Sequence, residues 1–141
     1  MASADLLWQC VKKSSSFIRS SQNAPRMTME PGNLCGVNSF KFSGLANTKV
    51  LGLDAKIVGK KESIILTTKS KKASRALRPG SLLQQTGIKK GPKKGVAQLK
   101  KAIEANFNRR DLCALALTKY NKIRQSFKKN KVAVKSRRSK K

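Results

Sequence analysis

The sequence predicts an α+β protein: a small antiparallel sheet with an N-terminal helix, followed by a basic extended segment, an αα-hairpin and a basic C-terminal tail. Three observations predict this class. Short segments before residue 70 have the composition or alternation of strands, apolar residues recur at helical spacing from 96 to 127, and lysine and arginine dominate elsewhere. We therefore expect a small α+β body at 1–69, a basic extended segment at 70–95, a helical hairpin at 96–127 and a basic tail at 128–141.

The first predicted element is a helix that begins after Ser3 and runs to about Lys13. The Ser3 hydroxyl can accept hydrogen bonds from the free amides of the first turn, and Asp5 is favoured there by the helix dipole. We expect the helix to lie on one face of the sheet through an apolar stripe of Leu7, Cys10 and Val11. Trp8 lies beside this stripe. Partial burial and stacking on a nucleobase are its two alternatives, and burial is the commoner role.

Five segments before residue 70 have the character of strands. They are 17–19, 27–30, 38–43, 49–54 and 63–69. The third has the clearest alternation, with Phe40 and Phe42 on one face. These two are expected in the core, because an RNA-recognition strand would carry glycines around its aromatic residues. Gly59, Lys60 and Lys61 are expected to form the hairpin turn between the last two strands.

Between residues 70 and 95, basic residues are interleaved with alanine, serine, glycine, proline and glutamine. Few large apolar side chains are available for burial. We expect Leu82 and Leu83 to dock on the sheet, and the rest to be extended and ordered mainly by a partner. The glycines from Gly87 to Gly95 lack the spacing of a nucleotide-binding loop, so a flexible basic loop is predicted there.

Two amphipathic helices with a short connection are predicted from residue 96 to residue 127. The apolar seam of the first is Val96, Leu99, Ile103 and Phe107, and that of the second is Leu112, Ala116, Tyr120, Ile123 and Phe127. Asp111 is expected to cap the second helix. Leu115 and Leu117 are expected to matter less than Ala116. Together the helices should form an αα-hairpin whose seam is internal or faces the sheet.

The absence of histidine excludes most of the common catalytic arrangements. It removes Ser-His and Cys-His nucleophile pairs and histidine metal sites. The six carboxylates are scattered without a close pair, and Cys10, Cys35 and Cys113 form neither a zinc ribbon nor a disulfide framework. We therefore predict no enzyme, no cofactor, no metal site and no small-molecule substrate.

No membrane partner is expected. The longest uninterrupted apolar stretch, Leu112 to Leu117, has six residues, whereas a membrane-spanning helix needs about 20. The first residues lack the basic and apolar regions of a secretory signal. The pattern predicts an intracellular protein in a reducing compartment.

The positive charge is concentrated in the second half of the chain. Of 33 lysines and arginines, 24 lie at or after residue 68, where the only acids are Glu104 and Asp111. Such a segment repels itself, and the commonest neutralising partner is a nucleic-acid backbone. The tail, 128–141, holds eight bases and no acid. It could be an arm between RNA phosphates, a nuclear-import signal, or both.

RNA is the predicted partner because the signatures of DNA-binding modules are missing. No zinc ligands, recognition helix or basic zipper is found, and no base-reading motif points to sequence-specific binding. A folded body with basic extensions is typical of ribosomal proteins. The predicted RNA-binding residues are Lys69, Lys71, Lys72, Arg75, Arg78, Lys89, Lys90, Lys93, Lys94, Arg109, Arg110, Lys128, Lys129, Lys131, Lys135, Arg137, Arg138, Lys140 and Lys141.

Several motifs resemble one family, the eukaryote-specific large-subunit ribosomal protein twenty-eight family. They are Asp5–Val11, Ser15–Phe17, Glu30–Leu34, Asn38–Phe40, Ser43–Leu45 and Arg109–Leu112. The resemblance implies an α+β protein of the cytosolic sixty-S subunit, without catalytic role, that contacts large-subunit ribosomal RNA and neighbouring ribosomal proteins. It implies passage through the nucleus and nucleolus during assembly. Arg110 stands where the family commonly has proline, which bears on the rigidity of that turn.

Two alternatives stay open. A nucleolar factor of large-subunit assembly is similar over the N-terminal part, but that family continues into an acidic C-terminal region, whereas this chain continues into a basic tail. A chromatin or DNA-binding protein is supported by charge alone.

Overall fold

The computed structural model describes residues 2–76, 78–105 and 108–127 of the 141-residue chain. The helices of this part are α1 (Ala4–Val11), α2 (Ala73–Ala76), α3 (Pro79–Leu82), α4 (Pro92–Glu104) and α5 (Cys113–Phe127). The strands are β1 (Ile18–Ser21), β2 (Ala24–Thr28), β3 (Leu51–Val58), β4 (Lys61–Lys69) and β5 (Leu83–Ile88). Short 3₁₀ turns occupy Phe40–Phe42 and Arg110–Leu112. The α+β class is confirmed. Phe107 and the tail, 128–141, lie outside the described residues.

The N-terminal helix begins as the sequence predicts. The Ser3 hydroxyl accepts a hydrogen bond from a first-turn amide at 3.3 Å, and the helix ends at Val11. Its expected position on the sheet is wrong, because none of its eight residues, all described, is buried, and Leu7 is 39% exposed. The predicted partial burial of Trp8 is confirmed, with its ring centroid 5.9 Å from that of Phe40.

The strands form two antiparallel sheets rather than one. β1 and β2 make a two-stranded sheet, and β3, β4 and β5 make a three-stranded sheet in that order. The predicted β3–β4 hairpin is confirmed: Val58 pairs with Lys61, and Gly59 adopts φ +58° in the turn. In the register, Leu53 lies opposite Leu66, so the two side chains share a face of the sheet.

The segment 38–43 does not form the predicted strand. It contains a 3₁₀ turn, and the Asn47 side-chain amide donates to the Ser43 carbonyl oxygen at 2.9 Å. Such local bonds satisfy backbone groups without a partner strand. Phe42 packs against the core, as expected, but Phe40 is 36% exposed and is not a core residue.

The prediction of an extended, partner-ordered segment at 70–95 is wrong for much of its length. Leu83–Ile88 forms β5, which pairs with β4 from Lys69 opposite Leu83 to Ile64 opposite Ile88. Most of the side chains of β5 are polar and exposed, which explains why composition alone did not indicate a strand. The expected docking of Leu82 and Leu83 at the sheet is confirmed by this pairing and by the hydrogen bond between the Ser70 amide and the Leu82 carbonyl oxygen, at 2.8 Å.

Helices α4 and α5 contact each other and cover one face of the three-stranded sheet. The sheet contributes Leu51, Leu53, Ile64, Leu66 and Ile88 to the core, and the helical region contributes Leu99, Ile103, Leu112, Ala116 and Tyr120. The predicted contact between the two helices and their apolar seam are confirmed for the described residues. Leu115 is 40% exposed, whereas Ala116 is fully buried. The expected cap at Asp111 is wrong, because Asp111 lies within the 3₁₀ turn and its carboxylate contacts Arg109.

A buried polar network holds the loop between β2 and β3. The Asn33 side-chain amide donates to the Glu30 carboxylate at 3.1 Å and to the Val37 carbonyl oxygen at 3.0 Å. The Ser43 hydroxyl donates to the second Glu30 oxygen at 3.2 Å. Buried polar groups need such partners. The motif residues around Glu30 and Ser43 therefore have a structural role here.

Candidate nucleic-acid interface

Basic segments that are distant in the sequence meet at one end of the three-stranded sheet. Because Ile88 pairs with Ile64, the lysines that follow β5 lie beside the start of β4. Lys90 Nζ lies 3.5 Å from the Glu62 carboxylate and 5.2 Å from the ring centroid of Phe127, so α5 also ends here. We call this surface the hairpin end. Its lysines are Lys56, Lys60, Lys61, Lys89, Lys90, Lys93 and Lys94.

Hydrogen bonds from the two long helices position the backbone of the hairpin end. The buried Tyr120 hydroxyl donates to the Lys89 carbonyl oxygen at 2.7 Å and lies 3.2 Å from that of Gly91. Burial raises the pKa of Tyr120. The Gln98 side chain accepts from the Lys89 amide at 3.1 Å and donates to the Gly87 carbonyl oxygen at 3.2 Å. The lysines at 89–94 therefore project from a fixed backbone rather than from the predicted flexible loop.

The start of α4 adds a second electrostatic feature to the hairpin end. Lys93 and Lys94 occupy its first turn, which contains no acid. Cations are disfavoured at this position, because the helix dipole places partial positive charge at the N-terminus. A phosphate group would compensate both the dipole and the two ammonium groups.

Five other described bases of the predicted site lie around the opposite end of the sheet, where β4 ends and β5 begins. We call this surface the opposite end. It contains the exposed Lys71, Lys72 and Arg78 and the half-buried Arg75. Lys69 is also here, but its ammonium group donates to the carbonyl oxygens of Leu45 and Asn47, at 3.2 Å and 2.8 Å. Burial lowers the pKa of Lys69. Lys69 thus connects the end of β4 to the loop that precedes β3.

Arg109 is likewise occupied within the protein. Its guanidinium donates to the carbonyl oxygens of Lys49, at 3.2 Å, and Lys41, at 2.6 Å, and to both oxygens of the Asp111 carboxylate. Hydrogen bonding from Arg109 holds the pKa of Asp111 below its ordinary value. Arg109 has φ +49°, an uncommon conformation for a residue with a side chain. The guanidinium fixes the connection between α4 and α5 against the loop that precedes β3.

The described bases of the predicted site are thus divided between the two ends of the sheet and the connection between α4 and α5. Helix α4 runs from the hairpin end toward the connection that contains Arg109, a span of about 20 Å for its 13 residues. Arg110 is exposed in that connection. The predicted residues of the tail lie outside the described part of the chain: Lys128, Lys129, Lys131, Lys135, Arg137, Arg138, Lys140 and Lys141. The assignment of each of these residues to RNA binding stays a prediction.

Sequence reasoning did not place Lys56, Lys60 and Lys61 in the site. All three are exposed, and their segment precedes the region of high charge density. The predicted turn at Gly59 was the available signal. A hairpin turn rich in lysine at the end of a sheet presents charge to a partner, but only the register shows that β5 ends beside it.

The described part of the chain presents no alternative chemical centre. A groove of about 560 Å³ lies between the 28–36 loop and α5, where Asp54 is 3.7 Å from Lys119. Among the described residues, no group of three or more cysteines and carboxylates is arranged to hold a metal ion. No helix in this part is both long enough and apolar enough to cross a membrane.

Comparisons with known proteins identify relatives of the chain. The Ribosomal L28e protein family matches residues 6–126. A Caenorhabditis elegans protein named large ribosomal subunit protein eL28 is 32% identical over 105 residues, which are 74% of this chain and 75% of that protein. Proteins of the same name are 42% identical over 53 residues in Dictyostelium discoideum, covering 38% of this chain and 39% of the relative. The Schizosaccharomyces pombe protein of this name is 31% identical over 88 residues, which are 61% of this chain and 63% of that relative.

Proposed function

This chain belongs to the Ribosomal L28e protein family, and on that premise we propose that it is a structural constituent of the cytosolic large (sixty-S) ribosomal subunit. There it binds and stabilises ribosomal RNA, mainly through phosphate contacts, and adjoins other large-subunit proteins. The match confirms the family predicted from the sequence motifs, which is a family of ribosomal proteins and not of enzymes. The relatives named large ribosomal subunit protein support the assignment to the large subunit.

The clustering of lysines at the hairpin end is the main observation that supports RNA binding through phosphate contacts. Seven lysines from three segments lie there, and Glu62, the carboxylate in contact with Lys90, offsets one charge. A fixed cationic surface suits phosphate oxygens whose positions are set by folded RNA. Since phosphate contacts carry no sequence information, recognition would depend on the shape of the RNA.

The opposite end extends the proposed interface to a second RNA segment. Lys71, Lys72 and Arg78 are exposed there, and the nine residues of β4 place them roughly 30 Å from the hairpin end along the sheet. We assign Lys69 and Arg109 to the support of the fold, because their donors are used within the protein. The tail would add further phosphate contacts. Its positive charge also supports import into the nucleus before assembly of the subunit.

Sedimentation of a tagged chain in a cell lysate tests the proposed function. Co-migration with mature sixty-S subunits and polysomes after a high-salt wash is the expected result, and the tag alone should stay at the top of the gradient. Restriction to nucleolar precursor particles would instead identify an assembly factor. Pelleting with chromatin would identify a DNA-binding protein.

A further inference from the structure

The tip of the β3–β4 hairpin, residues 56–61, projects beyond the rest of the three-stranded sheet. β5 pairs with β4 only from Ile64 to Lys69, so Lys61–Ser63 have no strand on that side within the described chain. The tip is held by pairing of β3 with β4, in which Ile57 lies opposite Glu62 and Val58 opposite Lys61. It is therefore a narrow, two-stranded projection at the hairpin end.

Two large apolar side chains on this projection face solvent. Ile57 is 64% exposed and Val58 is 62% exposed. Because successive side chains of a strand point to opposite faces, these two residues lie on opposite sides of the hairpin. A flat partner could cover only one of them. A cleft that surrounds the tip would cover both.

The charges of the tip indicate the chemistry of that cleft. Lys56 shares the face of Val58, Lys61 lies opposite Val58, and Lys60 is in the turn; all three are exposed. The nearest carboxylate along the strands, Glu62, is 3.5 Å from Lys90. A protein cleft would need several acids to match three lysines, whereas an RNA cleft supplies phosphates on its walls and ribose and base surfaces inside.

We propose that the hairpin tip inserts into a cleft of folded ribosomal RNA, where Ile57 and Val58 contact exposed ribose or base faces and Lys56, Lys60 and Lys61 contact phosphates. The inference rests on the proposed function and adds to it a site with an apolar component. RNA presents such unstacked surfaces in loops, bulges and stem ends. The exposed apolar side chains thereby gain a partner that the isolated protein lacks.

Two sets of substitutions separate the apolar contacts from the phosphate contacts. The first changes Ile57→Thr and Val58→Thr, which keeps branching at Cβ and hence suitability for a strand. The second changes Lys56, Lys60 and Lys61 to glutamine. The control is Met29→Thr, because Met29 is 66% exposed in the loop after β2. The full chains are titrated with deproteinised large-subunit ribosomal RNA over a range of salt concentrations, and urea unfolding checks their folds.

The threonine variant should bind about tenfold more weakly with an unchanged salt dependence, because apolar contacts release no counterions. The glutamine variant should lose about one unit of log–log salt slope for each lysine removed. The control should bind like the wild type. Wild-type affinity in the threonine variant would overturn the insertion while leaving the proposed function intact. If that variant bound free RNA normally but dissociated from sixty-S subunits, a neighbouring protein would be the partner instead. Failure of the wild type to bind ribosomal RNA would overturn both proposals.

Discussion

At the residue scale, basic side chains of the same type have different roles according to the acceptors around them. Arg109 and Lys69 donate to carbonyl oxygens inside the protein, whereas Lys93 and Lys94 face solvent at the start of α4. All four were predicted from the sequence as RNA-binding residues, because charge density does not show which donors already bind acceptors within the protein. The Ser3 cap, which depends on neighbours one turn away, was predicted correctly.

Replacing Arg109 should destabilise the fold. Arg109→Ala removes the donors that hold the Lys41 and Lys49 carbonyl oxygens, and we expect the free energy of unfolding to fall by about 1–3 kcal/mol. Arg109→Lys should recover only part of the loss, since an ammonium group cannot reproduce the planar fork. Urea denaturation measures the change. Lys100→Ala, at an exposed position of α4, is the control. Equal stability of the Arg109 variants and this control would contradict the role.

The stability of the fold should depend on the ionisation of Asp111. Its pKa is lowered in the folded state, chiefly by the hydrogen bonds from Arg109. This contribution is therefore complete above the unfolded-state pKa, near 3.8, and is lost as the pH falls through the lower folded-state value. Urea midpoints measured from neutral to strongly acidic pH should decline less in Asp111→Asn than in the wild type. Identical pH profiles for the two proteins would show that the pair does not contribute.

At the element scale, the two long helices were predicted well because their apolar residues repeat strongly. Leu99, Ile103 and Ala116 occupy the expected seam. Strand β5 was missed since its side chains are mostly polar and its place is set by pairing with β4. The 38–43 segment was wrongly predicted as a strand because its polar and apolar residues alternate. Local hydrogen bonds and the lack of a pairing strand in the described part of the chain determine its conformation instead.

The packing of α4 on α5 makes Gly95 sensitive to substitution. A Cβ at this position would overlap the Tyr120 hydroxyl and the Lys89 carbonyl oxygen. Alanine is favoured over glycine in a helix by about 1 kcal/mol, but overpacking a rigid site costs typically 1–3 kcal/mol. We expect Gly95→Ala to lower the free energy of unfolding despite its better helix propensity. Thermal unfolding measures this change.

A double-mutant cycle tests the cause. Tyr120→Phe alone should cost about 1 kcal/mol through the lost hydrogen bond. Combined with Gly95→Ala, it should cost less than the sum of the single changes, because the closest of the clashes, with the Tyr120 hydroxyl, is removed. Strict additivity of the two substitutions would contradict the proposed overlap.

At the scale of the whole molecule, the hydrophobic core joins the two halves that charge separates. Leu53 and Ile64 come from the less charged half, and Leu99 and Tyr120 come from the strongly basic half. The charge division at residue 68 was visible in the sequence, but the shared core was not, because sequence patterns do not specify which faces meet. The division of the predicted bases between two ends likewise follows from the sheet register.

Deletion of the tail, residues 128–141, should separate binding from folding. The segment carries eight bases and little apolar content, so the urea midpoint should not change while affinity for ribosomal RNA falls. Filter binding measures the affinity of the truncated chain for ribosomal RNA, and urea denaturation measures its stability. Loss of cooperative unfolding in the truncated chain would assign the tail a structural role.

The salt dependence of ribosomal RNA binding tests most directly whether the fixed lysines at the hairpin end contact phosphates. With about 6–10 phosphate contacts, wild-type affinity should fall roughly 10³- to 10⁵-fold between 50 and 200 mM salt. Changing Lys60, Lys61, Lys93 and Lys94 to glutamine should lower the log–log slope by about 3–4 units. A charge-matched control changes four exposed lysines elsewhere: Lys13, Lys100, Lys101 and Lys122. We expect a clearly larger loss of slope in the hairpin-end variant than in the control, and equal slopes in the two variants would show that these lysines are not the phosphate contacts.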